Sequence, residues 1–316
     1  MSTTQAGTDR QPAHAQRIVI AGASGTIGRA LVRSLQADGV TAIRLVRRPV
    51  AAPDEAEWHP ENGELDPGVL AGANAVVNLS GATIGRLPWT SAYRNQLFNS
   101  RLLPTRTIAQ ALAALGSAAP ALVSASAVGI YGSQPGVPLT ESGAVGETFL
   151  ARLADSWEQE ARPAAEVTRV AFLRTAPLMD FGGLLKPLHM LTACGISGPL
   201  GTGNQVWPWI SLIDEVRAIR HIIDTGMSGP VNLAAPERVT ARQIGQELAH
   251  QLHRPYLLPA PAPALRAILG TDPAESLLLS DAYVVPDALV SSGFSYIYPT
   301  MPNALKAALA HRMNYA

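Results

Sequence analysis

The sequence predicts an α/β protein built on a doubly wound parallel sheet. Two observations carry this expectation. Short apolar runs rich in β-branched residues alternate with segments of helical spacing along most of the chain. The first of these runs also opens directly into a glycine-rich turn that leads a helix. Strands that alternate with helices form βαβ units, whose crossovers cover both faces of a parallel sheet.

The elements follow in order. Arg17–Ala21 is a short apolar run bounded by Gly22 and reads as a buried strand. Thr26–Gln36 places Ile27, Ala30, Leu31 and Leu35 on one helical face. Ala42–Val46, Ala75–Leu79 and Ala121–Ser124 read as further strands, with a long helix over Ser91–Leu115. A helix fits Phe149–Ala165, and a strand follows at Arg169–Leu173. Beyond Arg174 the composition changes. Residues 182–203 hold six glycines and two prolines, which is loop composition around one short helix at Leu184–Leu191. Then come a helix over Asp214–Asp224, a strand at Val231–Leu233 and a helix over Thr240–Leu252. Four prolines in Pro255–Pro263 make a stiff connector. Ala264–Ala310 reads as helices around an apolar patch at Ser276–Leu279.

Composition excludes several classes. The 316 residues carry no net charge, and 47% are hydrophobic, which argues against disorder. Balanced, scattered charges argue against nucleic-acid binding. One cysteine, Cys194, excludes an internal disulfide or a CxxC metal site. His250 and His253 share a helix without a third ligand nearby, so no metal is expected. No apolar run approaches the roughly 18 residues that would cross a bilayer. Met1–Gln16 is polar, lacks a secretory apolar core, and is expected to be a disordered tail of a cytoplasmic protein. The expected organisation is a tail at 1–16 and a dinucleotide-binding core at 17–175. Substrate-side loops and a smaller C-terminal lobe at 176–316 are interleaved with that core. The expected partner is a small-molecule substrate, with the chain a monomer or a homodimer.

The sharpest motif is Gly22-Ala-Ser-Gly25-Thr-Ile-Gly28, which links the first strand to the first helix. Gly22 permits the tight turn, Gly25 lets the backbone approach a pyrophosphate, and Gly28 permits close helix–strand packing. The N–H groups that open the helix favour phosphate charge. Gly22, Ser24, Gly25, Thr26, Ile27 and Gly28 are therefore the expected phosphate-side contacts. The second strand ends in Arg47-Arg48 with no acidic residue. A guanidinium pairs with a ribose 2′-phosphate, whereas a carboxylate would bind a 2′-hydroxyl, so NADP(H) is the expected cofactor.

Further motifs carry a family resemblance. The G-x-x-G-x-x-G spacing resembles that of the extended and atypical short-chain dehydrogenases/reductases. Val77-Asn78-Leu79-Ser80-Gly81 resembles their N-L-A-G turn, which assigns Leu79, Ser80 and Gly81 to the cofactor. Ser124-Ala-Ser126-Ala-Val-Gly-Ile-Tyr131-Gly132 resembles their S-S-x-x-x-Y-G segment and places Ser124 beside the cofactor. Gly198–Gln205, Trp209-Ile210, Asp214, Leu277–Ser280, Gly293-Phe294 and Tyr298–Thr300 match an atypical family labelled nucleoside-diphosphate-sugar epimerases. That family has a characteristic C-terminal segment of unknown function. The match spans Arg17 to Leu309. It implies an extended-type Rossmann fold, bound NADP(H) and an undefined substrate.

The active-site pattern departs from the superfamily's Tyr-x-x-x-Lys. Gly182 stands four residues before Lys186 and Pro302 four before Lys306, and these are the only lysines. Alignment on Trp157-Glu158 sets Leu150 and Ala154 where tyrosine and lysine would stand. Arg101 takes the place of a supporting helix asparagine, and Ser211 that of a family histidine. A positioned acid or base is worth about 10²–10⁴ in rate, so catalysis needs a substitute. The candidates are Ser126, Tyr131 and Arg101. Ser126 matches the standard serine, or satisfies a strand-end backbone group. Tyr131 donates a phenolic proton, or is a packed aromatic. Arg101 orients an anionic substrate or cofactor phosphate, or is an exposed or ion-paired helix residue. Glu141 reads as structural, and Trp207 and Trp209 as lobe packing. The expected function is NADP(H)-dependent oxidation–reduction or epimerisation of a small polar substrate, such as a nucleotide sugar. The alternative is a non-catalytic NADPH-binding sensor or regulator.

Overall fold

A computed structural model describes residues 16–313. The tail expected over residues 1–16 therefore lies, but for Gln16, outside the described residues. In chain order the strands and helices begin with β1 (Arg17–Ala21), α1 (Thr26–Ala37), β2 (Thr41–Val46), β3 (Glu55–Glu57) and β4 (Ala75–Asn78). There follow α2 (Ser91–Leu115), β5 (Ala121–Ala127), β6 (Pro138–Leu139), α3 (Phe149–Ala161), β7 (Val170–Thr175), α4 (Leu185–Ala193) and α5 (Leu212–Thr225). The chain continues with β8 (Gly229–Leu233), α6 (Ala241–Gln251), α7 (Ala262–Leu269), α8 (Thr271–Pro273), β9 (Tyr283–Val284), α9 (Asp287–Ser291) and α10 (Met301–Met313).

Seven strands form one parallel sheet in the order β3-β2-β1-β4-β5-β7-β8. Alternation along each strand feeds two cores. Ile18, Ile20, Val77, Val123 and Leu173 face one side, where Leu31 and Leu35 of α1 and Ile219 and Ile222 of α5 cover them. Val19, Ala21, Val76 and Leu122 face the other, beneath Ile108 and Leu112 of α2 and Ala161 of α3. Burial on both faces explains why these strands read as continuous apolar runs. Helix starts are locally encoded. Thr90, Thr148 and Ser211 each accept a first-turn backbone N–H, and Thr240 forms a capping box with Gln243.

Two features were not expected from the sequence. β3 extends the sheet at its edge although it reads Glu-Ala-Glu. β6 and β9 form a separate parallel pair, Pro138↔Tyr283 and Leu139↔Val284. The expected strand at Ala121–Ser124 runs on to Ala127, which puts Ser126 on the strand itself. Trp207, Trp209 and Met179 pack with α6 and α10 in a third core, around Leu248 and Leu305. Among the described residues no helix is long and apolar enough to cross a membrane.

Candidate functional site

The strand order reverses between β1 and β4, where connections leave in opposite directions and open a crevice at the strands' carboxyl ends. Two turns meet there. Gly22 has φ +78°, and a Cβ on it would lie 2.5 Å from the Leu79 carbonyl oxygen. A Cβ on Gly28 would collide with the Gly22 carbonyl. These two glycines are thus required by the turn's own packing. Gly25 is different. It is exposed, and a Cβ there would meet only the Gly22 oxygen, at 3.3 Å. Gly25 is the N-cap of α1 and offers no side-chain cap, so the helix's first-turn N–H groups are left for a ligand. A bare outer face over an uncapped helix start fits a dinucleotide pyrophosphate. Ser24 is exposed, and Thr26 and Ile27 are half-buried, on the same turn. The second turn, Leu79–Gly81, flanks it. Ser80 N donates to Asn78 Oδ1 at 3.2 Å, and Asn78 Nδ2 donates to Thr105 Oγ1 at 2.8 Å, tying this turn to α2.

At the end of β2 the two arginines part. Arg48 donates to both Glu55 oxygens, Nη1 to Oε2 at 2.9 Å and Nη2 to Oε1 at 2.7 Å. Arg48, with backbone N–H and Arg44 support, holds the Glu55 carboxyl down to about 2. Arg47 is exposed and has no side-chain partner among the described residues. Of the two arginines expected at the cofactor, Arg48 is thus ion-paired with a carboxylate that β3 supplies.

The catalytic candidates do not converge on an open pocket. Ser126 is 4% exposed, and its Oγ donates to Glu158 Oε1 at 2.7 Å. Glu158 in turn accepts two bonds from Arg174, at 2.9 and 3.0 Å. Tyr131 is fully buried. Its hydroxyl donates to Asn232 Oδ1 at 2.7 Å and accepts from Arg174 Nη1 at 2.9 Å. Burial raises the phenol's pKa, further from physiological proton transfer. Asn232 Nδ2 continues the chain to the Leu139 and Val285 carbonyls. Glu141 Oε1 accepts from Asn232 N and Ala288 N, joining β8 to α9. Ser126 and Tyr131 thus belong to one buried network centred on Arg174. Arg101 is 9% exposed beneath the Gly81 turn. Ser124 is buried and its Oγ has no hydrogen-bond partner among the described residues. Leu150 packs against Gly129, and Ala154 is buried on the same face of α3, so neither offers a proton.

Residues 18–152 match the model of the NAD dependent epimerase/dehydratase family, and residues 260–308 match a domain of unknown function (DUF1731). Epimerase family protein Mb2239 of Mycobacterium bovis is 39% identical over 291 residues, covering 91% of this chain and 96% of that one. The chain belongs to the epimerase family. Epimerase family protein SDR39U1 of Bos taurus is 30% identical over 93% of this chain and 100% of its own length. The crystal structure of human epimerase family protein SDR39U1 (isoform 2) with NADPH superposes with a TM-score of 0.84. The two are 26% identical, over 93% of this chain and 99% of that one. A nucleoside-diphosphate sugar epimerase from Corynebacterium glutamicum gives 0.75 at 30% identity, over 95% of this chain and 58% of that one.

Two features of this epimerase-family protein escaped the sequence reading. The Glu158–Arg174 pair joins residues on a helix and a strand, and only the fold brings them together. Glu215, in the first turn of α5, is fully buried. Its Oε1 accepts from Thr175 Oγ1 at 2.8 Å, while Oε2 has no partner among the described residues. Desolvation pushes this carboxyl up to about 8. A cavity of about 600 Å³ opens between Gly146–Phe149, Arg152 and the segment around Glu275 and Ser276. It lies where the C-terminal matched region meets the start of α3.

Proposed function

We propose that this epimerase-family protein binds NADP(H) and oxidises, reduces or epimerises a small polar substrate at the carboxyl ends of β4, β5 and β7. The observation that carries the reading is the uncapped start of α1 behind a glycine turn whose outer face is bare. The first-turn N–H groups after Gly25 would hold the pyrophosphate. Arg47 would pair with the ribose 2′-phosphate, and the Leu79–Gly81 turn and Ser124 would flank the rest of the cofactor. That the human relative was crystallised with NADPH supports the same assignment. A nicotinamide bound there supplies or accepts a hydride at C4. The chain's part is to orient the substrate oxygen and to move its proton. Ser126 sits near the end of β5 with its proton held by Glu158, and a hydroxyl can rotate from one acceptor to another. Ser126 would donate to the substrate oxygen while Glu158 and Arg174 keep its position.

The test is NADPH absorbance followed against carbonyl compounds and sugar nucleotides. Turnover that falls at least about 10²-fold in Ser126→Ala supports the assignment. Tight NADPH binding with no turnover of any compound favours a second reading, a non-catalytic NADPH sensor. Leu150 and Ala154, which offer no acid, and the burial of Tyr131 are the observations on its side.

A further inference from the structure

Two arginines are buried near the carboxyl ends of the sheet, and the fold treats them oppositely. Arg174 has a carboxylate, Glu158, on two of its nitrogens. Arg101 has none among the described residues. Its Nη1 donates to the Leu97 carbonyl at 3.1 Å and its Nη2 to the Ala82 carbonyl at 3.0 Å. A guanidinium carries five N–H donors, so these two bonds leave donors over, Nε–H among them. The group packs against the Gly81 turn and lies over the Trp157 ring, 5.1 Å from its centroid. A Cβ on Gly81 would stand 3.1 Å from Arg101 Cζ. Ser100 Oγ accepts from Ala82 N at 2.9 Å, so α2 grips the Ala82 residue at both its N–H and its carbonyl. Burial without an acid lowers the guanidinium's pKa to about 10.

A buried cation without a counterion is costly, and an arriving anion relieves that cost. The pyrophosphate already has its own site at the start of α1, beside Leu79. Arg101 lies past Gly81 on the α2–α3 side, over Trp157, the neighbour of the residue that holds Ser126. We propose that Arg101 is the specificity-determining residue of this site and recognises a carboxylate or phosphate group carried by the substrate. Stacking fixes the plane of the guanidinium, and its remaining in-plane donors suit a two-oxygen acceptor. The assignment rests on the reading that the crevice takes NADP(H) and a substrate.

The test uses the full chain, with and without saturating NADPH, titrated with inorganic phosphate or acetate against chloride at constant ionic strength. Melting temperature and NADPH fluorescence are the readouts. Wild type should be stabilised by phosphate or acetate over chloride. Arg101→Gln should bind NADPH as wild type does but bind the anion at least about tenfold more weakly. Arg101→Lys, which keeps a positive charge but loses the planar two-donor fork, should show the same loss. It serves as the deciding variant should Arg101→Gln fail to fold by circular dichroism. No anion response in wild type, or an equal response in the variants, overturns the proposal. NADPH affinity falling in step with anion affinity also overturns it, because the arginine would then serve the cofactor. Failure of wild type to bind NADPH counts against the cofactor reading, while the cofactor-free titration still decides the role of Arg101.

Discussion

Ser126 Oγ on β5 donates to Glu158 Oε1 on α3 across 2.7 Å, and the same oxygen accepts from Arg174 Nε on β7 at 2.9 Å. One carboxylate therefore locks a helix to two neighbouring strands at the mouth of the crevice. The pair is almost completely buried, with side-chain exposures of 9% for Arg174 and 4% for Glu158. Removing one partner strands a charge in the interior. Glu158→Gln should lower unfolding free energy by about 3–5 kcal/mol, measured by urea denaturation. Ser126→Ala removes one bond to a charged acceptor and should cost about 1.5–3 kcal/mol. A loss below about 1 kcal/mol for Glu158→Gln would show the pair to be dispensable.

Gly25 separates ligand binding from folding. An alanine Cβ would meet only one oxygen at 3.3 Å, and the residue's φ of −72° suits any side chain. The gain from a less flexible unfolded chain and the loss of a preferred helix cap nearly cancel, so stability should stay within about 1 kcal/mol of wild type. The added methyl would stand on the face proposed for the pyrophosphate. Gly25→Ala should therefore weaken NADPH binding by about tenfold or more with melting temperature nearly unchanged, read by fluorescence titration and thermal unfolding. Gly22→Ala should instead damage both, because its Cβ would strike the Leu79–Ser80 peptide.

Arg47 and Arg48 should answer differently although they are neighbours. Arg47→Ala should weaken NADPH by about ten- to a hundredfold and leave NADH binding almost unchanged. Arg48→Ala breaks the contact with Glu55, and with the arginine side chain 52% exposed the change in stability should be small. Isothermal titration with both cofactors separates the two. Equal loss of NADH and NADPH on Arg47→Ala would remove the 2′-phosphate assignment.

Glu215 gives the stability curve a slope. Its carboxyl titrates near 4.5 when unfolded and at about 8 when folded. Between these values the native state holds a proton that the unfolded state has released. Its contribution is complete below the unfolded value and is lost as pH rises toward 8, at about 1.4 kcal/mol per pH unit. Glu215→Gln keeps an acceptor for Thr175 and does not ionise. The variant should flatten this component between pH 5 and pH 8 and overtake wild type near the upper end. Parallel curves for the two proteins would show that Glu215 is not protonated in the fold.

The sheet was legible because its strands are buried on both faces. β1, β2, β4, β5, β7 and β8 appear in the sequence as apolar runs, and the glycine turn marks where the first helix starts. β3 was not legible, because Glu55 and Glu57 sit at an edge where Arg44 and Arg48 neutralise Glu55. Nor were β6 and β9, each two residues long and defined only by the other. The glycine turn proposed for the phosphates was readable for the same reason as the helix start, since both depend on neighbouring residues. The surroundings of the hydroxyl candidates were not. Ser126 matches the standard serine by position and Tyr131 reads more readily as a packed aromatic, but their partners Glu158, Arg174 and Asn232 come from elements far along the chain.

The β6–β9 pair has an evolutionary consequence. The region matched at 260–308 contains β9, but its partner strand is spelled at Pro138–Leu139, inside the stretch matched to the NAD dependent epimerase/dehydratase family. Neither stretch can be transplanted with its backbone hydrogen bonds intact. Recombination within the intervening chain would leave a parallel strand without its mate. The two stretches should be inherited as a unit, with the short strands drifting together, and the connector between α6 and α7 is held to a fixed length by its backbone bonds to Ser197, Pro199 and Gly201.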